Sequence, residues 1–214
     1  MPIQFNTHTQ RVTLPNGGVL ELETGRLARQ ADGSVLLRQG ETMMLATVVA
    51  NREIDPKVDF LPLSVDYKEN YSSTGKIPGG FFKRDGRLNE FEILTSRLVD
   101  RSLRPLFPED YHASIQVIIT LLSSDKETRG DALACVAASA ALMASDIPFA
   151  DPVATVRVGR IGGAFVINPT TSQLAESDID LMVAGTLDSI VMVEGEMKEV
   201  SEEDMLEALR QAHE

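Results

Sequence analysis

The sequence has no tryptophan, one cysteine and only three histidines in 214 residues. The single Cys135 excludes an internal disulfide and suits a reducing compartment, so a cytoplasmic location is expected. His8, His112 and His213 are widely separated and, with one Cys, leave no zinc-ligand pattern. Long apolar runs are also missing. The segment TMMLATVVA (Thr42–Ala50) reads as a strand and falls far short of the roughly 18–20 residues that span a bilayer, so no membrane partner is expected. The N-terminal MPIQFNTHTQ has no basic stretch followed by an apolar one, which excludes a secretory signal of the usual kind. What remains is 43% hydrophobic and 24% charged, the balance of a soluble globular protein.

Positive charge is scarce overall, at net −12, and it is unevenly placed. Lys76 to Arg104 holds seven Lys/Arg against four Asp/Glu, whereas Ser172 onward holds two against twelve. A basic island in an acidic chain points to a focused anion site rather than general adhesion to polyanions. The plainer alternative is that neighbouring acids neutralise it in the fold.

The first 66 residues read as a strand meander: VTL, GVLELETG, RLARQ, SVLLRQ, TMMLATVV and FLPLSVDY. Asn16-Gly17 and Asp32-Gly33 are hairpin-type pairs, because Asn, Asp and Gly tolerate positive φ. Tyr67 to Gly80 is polar and Gly-rich and reads as a long loop. A helix follows, with Asn89 as N-cap and Glu92 at N3, and Pro105 ends it. On its wheel Arg97, Arg101 and Arg104 share one narrow stripe, so the helix is mostly buried with one cationic edge. Ser114–Ser123 reads as a buried strand, and Gly130 to Ser145 as an Ala-rich helix slender enough to pack closely on a sheet. Four more strands follow (VATVRVG, AFVIN, IDLMVAG, SIVMVEG), with a Gly162-Gly163 hairpin. A last helix starts near Ser201, with Asp204 at N3, and the sequence stops inside it, as expected of a piece of a longer chain. The expected fold class is α+β, as one domain over residues 1–214.

Two stretches invite a chemical reading. SSTGKI (Ser72–Ile77) fails as a phosphate-binding P-loop: position 70 is not Gly, and Ile77 stands where Ser or Thr holds Mg²⁺. GGFFKR (Gly79–Arg84) is more specific. Its glycines let the backbone approach a ligand, Phe81 and Phe82 offer faces for base stacking, and Lys83 and Arg84 can neutralise phosphates. The composition suits sequence-tolerant binding of single-stranded RNA. The bland alternative is a Phe plugging the core beside two solvated cations.

GGFFKRDGR followed by EILTSRLVDRSLRPLFP (Glu92–Pro108) resembles the first ribonuclease-PH-like core domain of the polynucleotide phosphorylase family. GSVLLRQGETMMLATVV, ASAALMASDIPF and LMVAGT near VMVEGE match the same family, in order, along nearly the whole chain. The resemblance implies a mixed-sheet ribonuclease-PH-like fold and 3′-to-5′ phosphorolysis of RNA. In that reaction inorganic phosphate is co-substrate and nucleoside diphosphates are released reversibly. It also implies Mg²⁺, single-stranded RNA 3′ ends as partner, and a homotrimeric ring. The family's FF-basic-basic loop lines the channel entrance, which here names Phe81, Phe82, Lys83 and Arg84. Arg97, Arg101 and Arg104 are candidate RNA contacts; facing a neighbouring domain, or pairing with Asp100 at helical spacing, stays open.

The same resemblance implies that the reacting centre lies elsewhere. Active copies resemble Asp-x5-Asp before an apolar strand. Here the later position is Asp180, but Leu174 stands six residues earlier. The family's Gly-Gly-Thr-Arg phosphate loop corresponds to SDKETRGDA, where Lys126 and Glu127 replace the glycines. A Glu beside a phosphate site is unfavourable. No catalytic residue and no metal ligand is therefore expected in this segment, Mg²⁺ is expected outside it, and Asp178 and Asp180 are read as turn or ion-pair residues. The rival readings are a non-catalytic RNA-binding or scaffold subunit of an exosome-like ring and an independent phosphorolytic enzyme, against which Leu174 argues.

Overall fold

Alternating burial organises the first half of the chain. In β4 (Thr42–Ala50) Thr42, Met44, Ala46 and Val48 are fully buried, and the residues between them are not. β6 (Ile115–Ser123) repeats the pattern with Ile115, Val117, Ile119 and Leu121 inward, while Ile118 and Leu122 are exposed. It is therefore a one-faced strand, not one buried on both faces. The computed structural model describes residues 6–14, 16–53, 57–77, 79 and 87–214. β1 (His8–Thr13), β2 (Val19–Thr24), β3 (Gly33–Gln39), β4, β6 and β5 (Leu63–Glu69) form a six-stranded sheet in the order β1-β2-β3-β4-β6-β5. Only the β5–β6 pair is parallel. A parallel neighbour requires a crossover, and α1 (Glu90–Leu103) lies within it.

The helix starts follow the caps. At α1 the Asn89 side chain accepts from the Glu92 amide at 2.9 Å, and the Glu92 carboxylate accepts from the Asn89 amide at 2.6 Å. Ile93 and Leu94 of this helix are exposed, at 47% and 45%, while Glu92, Thr95, Ser96 and Ser102 are buried. The inward polar groups are used: Ser96 Oγ accepts from the Tyr67 amide and donates to the Glu92 carbonyl. α2 (Gly130–Met143) contacts both sheets. It approaches β3 so closely that a Cβ on Gly33 would sit 2.1 Å from the Ala141 carbonyl. Gly33 is thus a close-packing glycine that opens a strand. The turn into β4 is instead at Gly40, with φ of 59°. The predicted RLARQ strand is absent: Gly25 and Ala28 adopt φ of 90° and 49°, which breaks any ladder. The predicted loop also begins late, since β5 runs through Glu69 and a 3₁₀ turn covers Tyr71–Thr74.

The second sheet has the order β10-β9-β7-β8, from β7 (Ala154–Ile161), β8 (Ala164–Ile167), β9 (Ile179–Gly185) and β10 (Ile190–Met197). Gly162 and Gly163, at φ of 58° and 84°, make its predicted hairpin. A one-turn helix, α3 (Thr171–Leu174), was not foreseen. α4 (Glu202–His213) starts as expected, with Ser201 Oγ accepting from the Asp204 amide. β9 is apolar on both faces. Ile179, Leu181 and Val183 join Val158 and Ala208 under α4, whereas Met182 and Ala184 join the core around α2. Period-two geometry then puts Asp180 on the α2 side.

Candidate functional site

The segment before α2 is shaped by one carboxylate. Asp125 Oδ1 accepts from the amides of Glu127 and Thr128 at 2.9 and 2.7 Å, and Oδ2 accepts from the Thr128 hydroxyl at 2.8 Å. Burial alone raises the Asp125 pKa. The hydrogen bonds from Thr128, Glu127 and Thr42 outweigh it and hold the group below its ordinary 3.8. Lys126 carries the strain of this turn, with φ of 69°, a region that suits glycine better. The Glu127 carboxylate accepts from the Ser172 hydroxyl at 2.9 Å and from its amide at 3.2 Å. Those bonds lower the Glu127 pKa, so a fixed negative charge sits beside Thr128 and Arg129.

Arg129 lies over the Phe91 ring, 5.3 Å from its centroid, and pairs with Asp131 at 3.1 Å. Asp131 is buried in the first turn of α2 and also binds Arg157, at 2.6 Å. Arg157 reaches from β7 and bonds Asp180 on β9 with its other terminal nitrogen. Two cations and two carboxylates thus close on one another. Asp180 is an ion-pair residue, as expected, and so is Asp178, which binds Arg160 at 2.7 Å. Arg160 also binds Asp204 of α4 at 2.7 Å.

A pocket of about 100 Å³ adjoins this network, lined by Glu127, Thr128, Arg129, Asp131 and Arg157 among others. These residues do not fit Mg²⁺. The Asp180 carboxylate is held by Arg157, position 174 is Leu, and no group of three His, Cys, Asp or Glu among the described residues is placed to hold a metal. Nor do they offer an anion an unopposed cation, since each arginine already has a carboxylate. Arg157 and Asp131 were missed by reading the sequence. The signal was an Arg inside the apolar VATVRVG strand, which has to find a partner where it is buried. Cys135, fully buried in α2, is pushed up to about 11 by that burial and is no nucleophile.

Phe81, Phe82, Lys83 and Arg84 lie outside the described residues. The three α1 arginines separate. Arg104 pairs with Asp100 at 2.7 Å and donates to the carbonyls of Leu61 and Leu63, so it takes the helical-spacing alternative. Arg101 pairs with Glu194 of β10. Arg97 is exposed and makes no ion pair or hydrogen bond among the described residues.

The profile of "3′ exoribonuclease family, domain 1" matches residues 19–148, and that of "3′ exoribonuclease family, domain 2" matches residues 151–214. The chain is 58% identical over 210 residues to a polyribonucleotide nucleotidyltransferase of Phocaeicola vulgatus, covering 98% of this chain and 30% of that protein. It is 57% identical over 202 residues to the protein of the same name from Cytophaga hutchinsonii, covering 94% and 28%. The chain therefore spans about 30% of the length of the curated relatives it matches. Among solved structures it superposes with a TM-score of 0.68 on a chain of the Archaeoglobus fulgidus exosome with RNA bound to the active site. The identity is 16%, covering 98% of this chain and 86% of that one. Rice Rrp46 gives 0.69 at 16%, covering 97% and 88%. At such identity these two show a shared fold alone, which is the expected α+β, ribonuclease-PH-like one.

Proposed function

Because the chain belongs to the 3′ exoribonuclease family, we propose that it serves as the first core domain of a polyribonucleotide nucleotidyltransferase. The whole enzyme degrades RNA from the 3′ end with inorganic phosphate, releases nucleoside diphosphates, and runs in reverse as a polymerase. The observation that carries this reading is the 58% identity across 98% of the chain. Within that enzyme residues 1–214 act as one domain that guides single-stranded RNA and helps build a homotrimeric ring in the cytoplasm. They do not carry out the phosphoryl transfer.

Phosphorolysis needs a place for inorganic phosphate and carboxylates for Mg²⁺, with positioning and charge neutralisation supplying the acceleration. The closed Arg129–Asp131–Arg157–Asp180 network and the Glu127 charge support placing both outside this segment. Here the cations orient β7, β9 and α2 instead of substrate. Guidance then falls to Phe81, Phe82, Lys83 and Arg84, through stacking and phosphate contacts, with Arg97 the member of the α1 trio that has no partner among the described residues.

Two assays test the reading. The isolated chain, given 3′-OH RNA, phosphate and Mg²⁺, is expected to release no nucleoside diphosphate, and Asp180→Ala is expected to change nothing in that assay. Phosphate-dependent release by the isolated chain overturns the non-catalytic assignment. In full-length enzyme Lys83→Ala with Arg84→Ala is expected to weaken capture of long RNA and spare very short oligonucleotides. Unchanged affinity for long RNA sinks the guiding role of the loop.

A further inference from the structure

Most described cations of this chain have a carboxylate or carbonyl partner. Arg11, Arg26, Arg101, Arg104, Arg129, Arg157, Arg160 and Arg210 are all in ion pairs. Arg52, Lys68, Lys76, Arg87, Arg97 and Lys126 differ: their side chains make no ion pair or hydrogen bond among the described residues. Lys68, Lys76, Arg87 and Lys126, four of these six, are not scattered. Lys68, Lys76 and Arg87 line one open hollow of about 310 Å³. Lys126 lines a second of about 310 Å³, together with Arg129. The two hollows adjoin, because Glu69, Ser73 and Thr74 line both. Ser124 ties the second to the 3₁₀ turn, since its amide N–H donates a hydrogen bond to the Ser73 carbonyl.

We infer that the two hollows form one groove for the sugar-phosphate backbone of single-stranded RNA, running from Lys76 and Arg87 over the Tyr71–Thr74 turn to Lys126. The inference rests on the RNA-guiding reading above. Among the described residues of a carboxylate-rich chain at net −12, none is spent as a partner on these four cations, which suits them to an external polyanion. Two acids face the groove, and both are occupied. Glu92 accepts from the amides of Asn89 and Glu69, and Glu69 accepts from the Tyr67 hydroxyl at 2.7 Å. The remaining wall offers hydroxyls and amides from Ser73, Thr74, Asn70 and Asn89, which suit phosphodiester oxygens. Tyr71 and Leu88 in the first hollow and Phe91 and Leu121 in the second add apolar surface beside them.

The test uses full-length enzyme and a labelled oligoadenylate long enough to cross the domain, titrated at several salt concentrations. The variant is Lys68→Ala, Lys76→Ala, Lys126→Gly, where glycine keeps the turn geometry. Its affinity at low salt is expected to fall by about tenfold or more. Its slope of log affinity against log salt should shrink by roughly 0.7 per lost contact, about 2 in all. Arg52→Ala, an exposed cation away from the groove, is expected to leave both unchanged. Should the triple change unfold the domain, Lys76→Ala and Lys126→Gly are read singly, each expected to remove about 0.7 of slope. Wild-type slope in these variants overturns the groove, and so does stronger competition by polyglutamate than by RNA. If Lys83→Ala with Arg84→Ala still weakens RNA while the groove variants do not, only the groove falls. If groove variants weaken RNA and the loop variant does not, the groove stands and the loop's role falls.

Discussion

The segment leading into α2 and the groove beside it are built from the same residue types and use them in opposite ways. In the first, Arg129 and Arg157 are closed onto Asp131 and Asp180, with Asp131 and Arg157 buried and the other two half-buried. In the second, Lys68, Lys76, Arg87 and Lys126 have no carboxylate partner among the described residues. Buried charge has to be paired, because desolvation outweighs any unpaired contact. Exposed charge carries no such requirement and stays available. Counting cations along the sequence therefore says little about where an anion binds. What matters is which cations the fold leaves unpaired.

The largest expected effect breaks the closed side. Asp131→Ala leaves Arg157, whose side chain is only 10% exposed, with Asp180 alone and removes a partner of Arg129. Uncoupling a buried ion pair costs about 3–5 kcal/mol. Urea unfolding of the domain is expected to show a loss of that size with an unchanged m-value. A loss below about 1 kcal/mol means that the network is solvated and worth no more than a surface pair.

Next comes the boundary between the two regions. Gly130 opens α2 and lines the second hollow, and a Cβ there would lie 2.2 Å from the Tyr67 hydroxyl. Tyr67 is fully buried and donates to Glu69. Gly130→Ala therefore displaces the phenol and strains the groove wall. A cost of about 1–3 kcal/mol is expected, as for overpacking elsewhere. Tyr67→Phe in the same background should recover part of it, since the clashing oxygen is gone. No recovery shows that the clash is relieved by backbone movement instead.

Much of this architecture was legible in the sequence, and the reasons are local. Asn89 with Glu92 and Ser201 with Asp204 announced two helix starts, because caps act within one turn. Thr42–Ala50 and Ser114–Ser123 were both read as strands, but β6 was expected to be buried and instead turns alternate residues outward. RLARQ was misread because Gly25 and Ala28 take positive φ, which nothing in their neighbours' polarity signals. Gly33 was misread because a turn glycine and a close-packing glycine look alike until the helix above is known. The ion-pair character of Asp178 and Asp180 was foreseen, but their partners Arg160 and Arg157 were not, since they lie 18 and 23 residues away across strands. The spare lysines were invisible for the complementary reason: lacking a partner is a property of the whole fold.

The two regions should also part under pH. The Glu69 pKa is raised from 4.5, first by burial and then by Glu92 and Asp131, against the Tyr67 bond that lowers it. A raised carboxylate stabilises the fold below its unfolded pKa, and that contribution is lost as pH rises through the folded value. Asp125, Asp178 and Asp204 lie below 3.8, so their contribution is present above that pH and lost as it falls through their folded values. Glu69→Gln keeps an acceptor for Tyr67 and removes the charge. Its melting temperature relative to wild type is expected to rise with pH above about 4.5, with no change in the acid limb. A constant offset from pH 4 to pH 8 would show that Glu69 is not held in a desolvated state.

The smallest effects separate the three arginines of α1. Arg104 holds two backbone carbonyls as well as Asp100, so Arg104→Ala is expected to cost about 1–2 kcal/mol. Arg101 and Glu194 form an exposed pair, with side chains 52% and 47% accessible. Removing it is expected to cost between about 0 and 1 kcal/mol, and less at high salt. Arg97→Ala should fall within about 0.5 kcal/mol of wild type, because nothing in the described structure depends on it. RNA binding by full-length enzyme is expected to rank the three in reverse. A cation already satisfied inside the fold has to give up that partner before it meets a phosphate, whereas Arg97 has no such partner among the described residues. Salt titration of the three single variants decides the matter. The slope should shrink by roughly 0.7 in Arg97→Ala and stay at the wild-type value in Arg104→Ala. The opposite ranking would show that the pairs of Arg101 and Arg104 open when RNA arrives, and that partnering in the free fold does not predict which cations the strand meets.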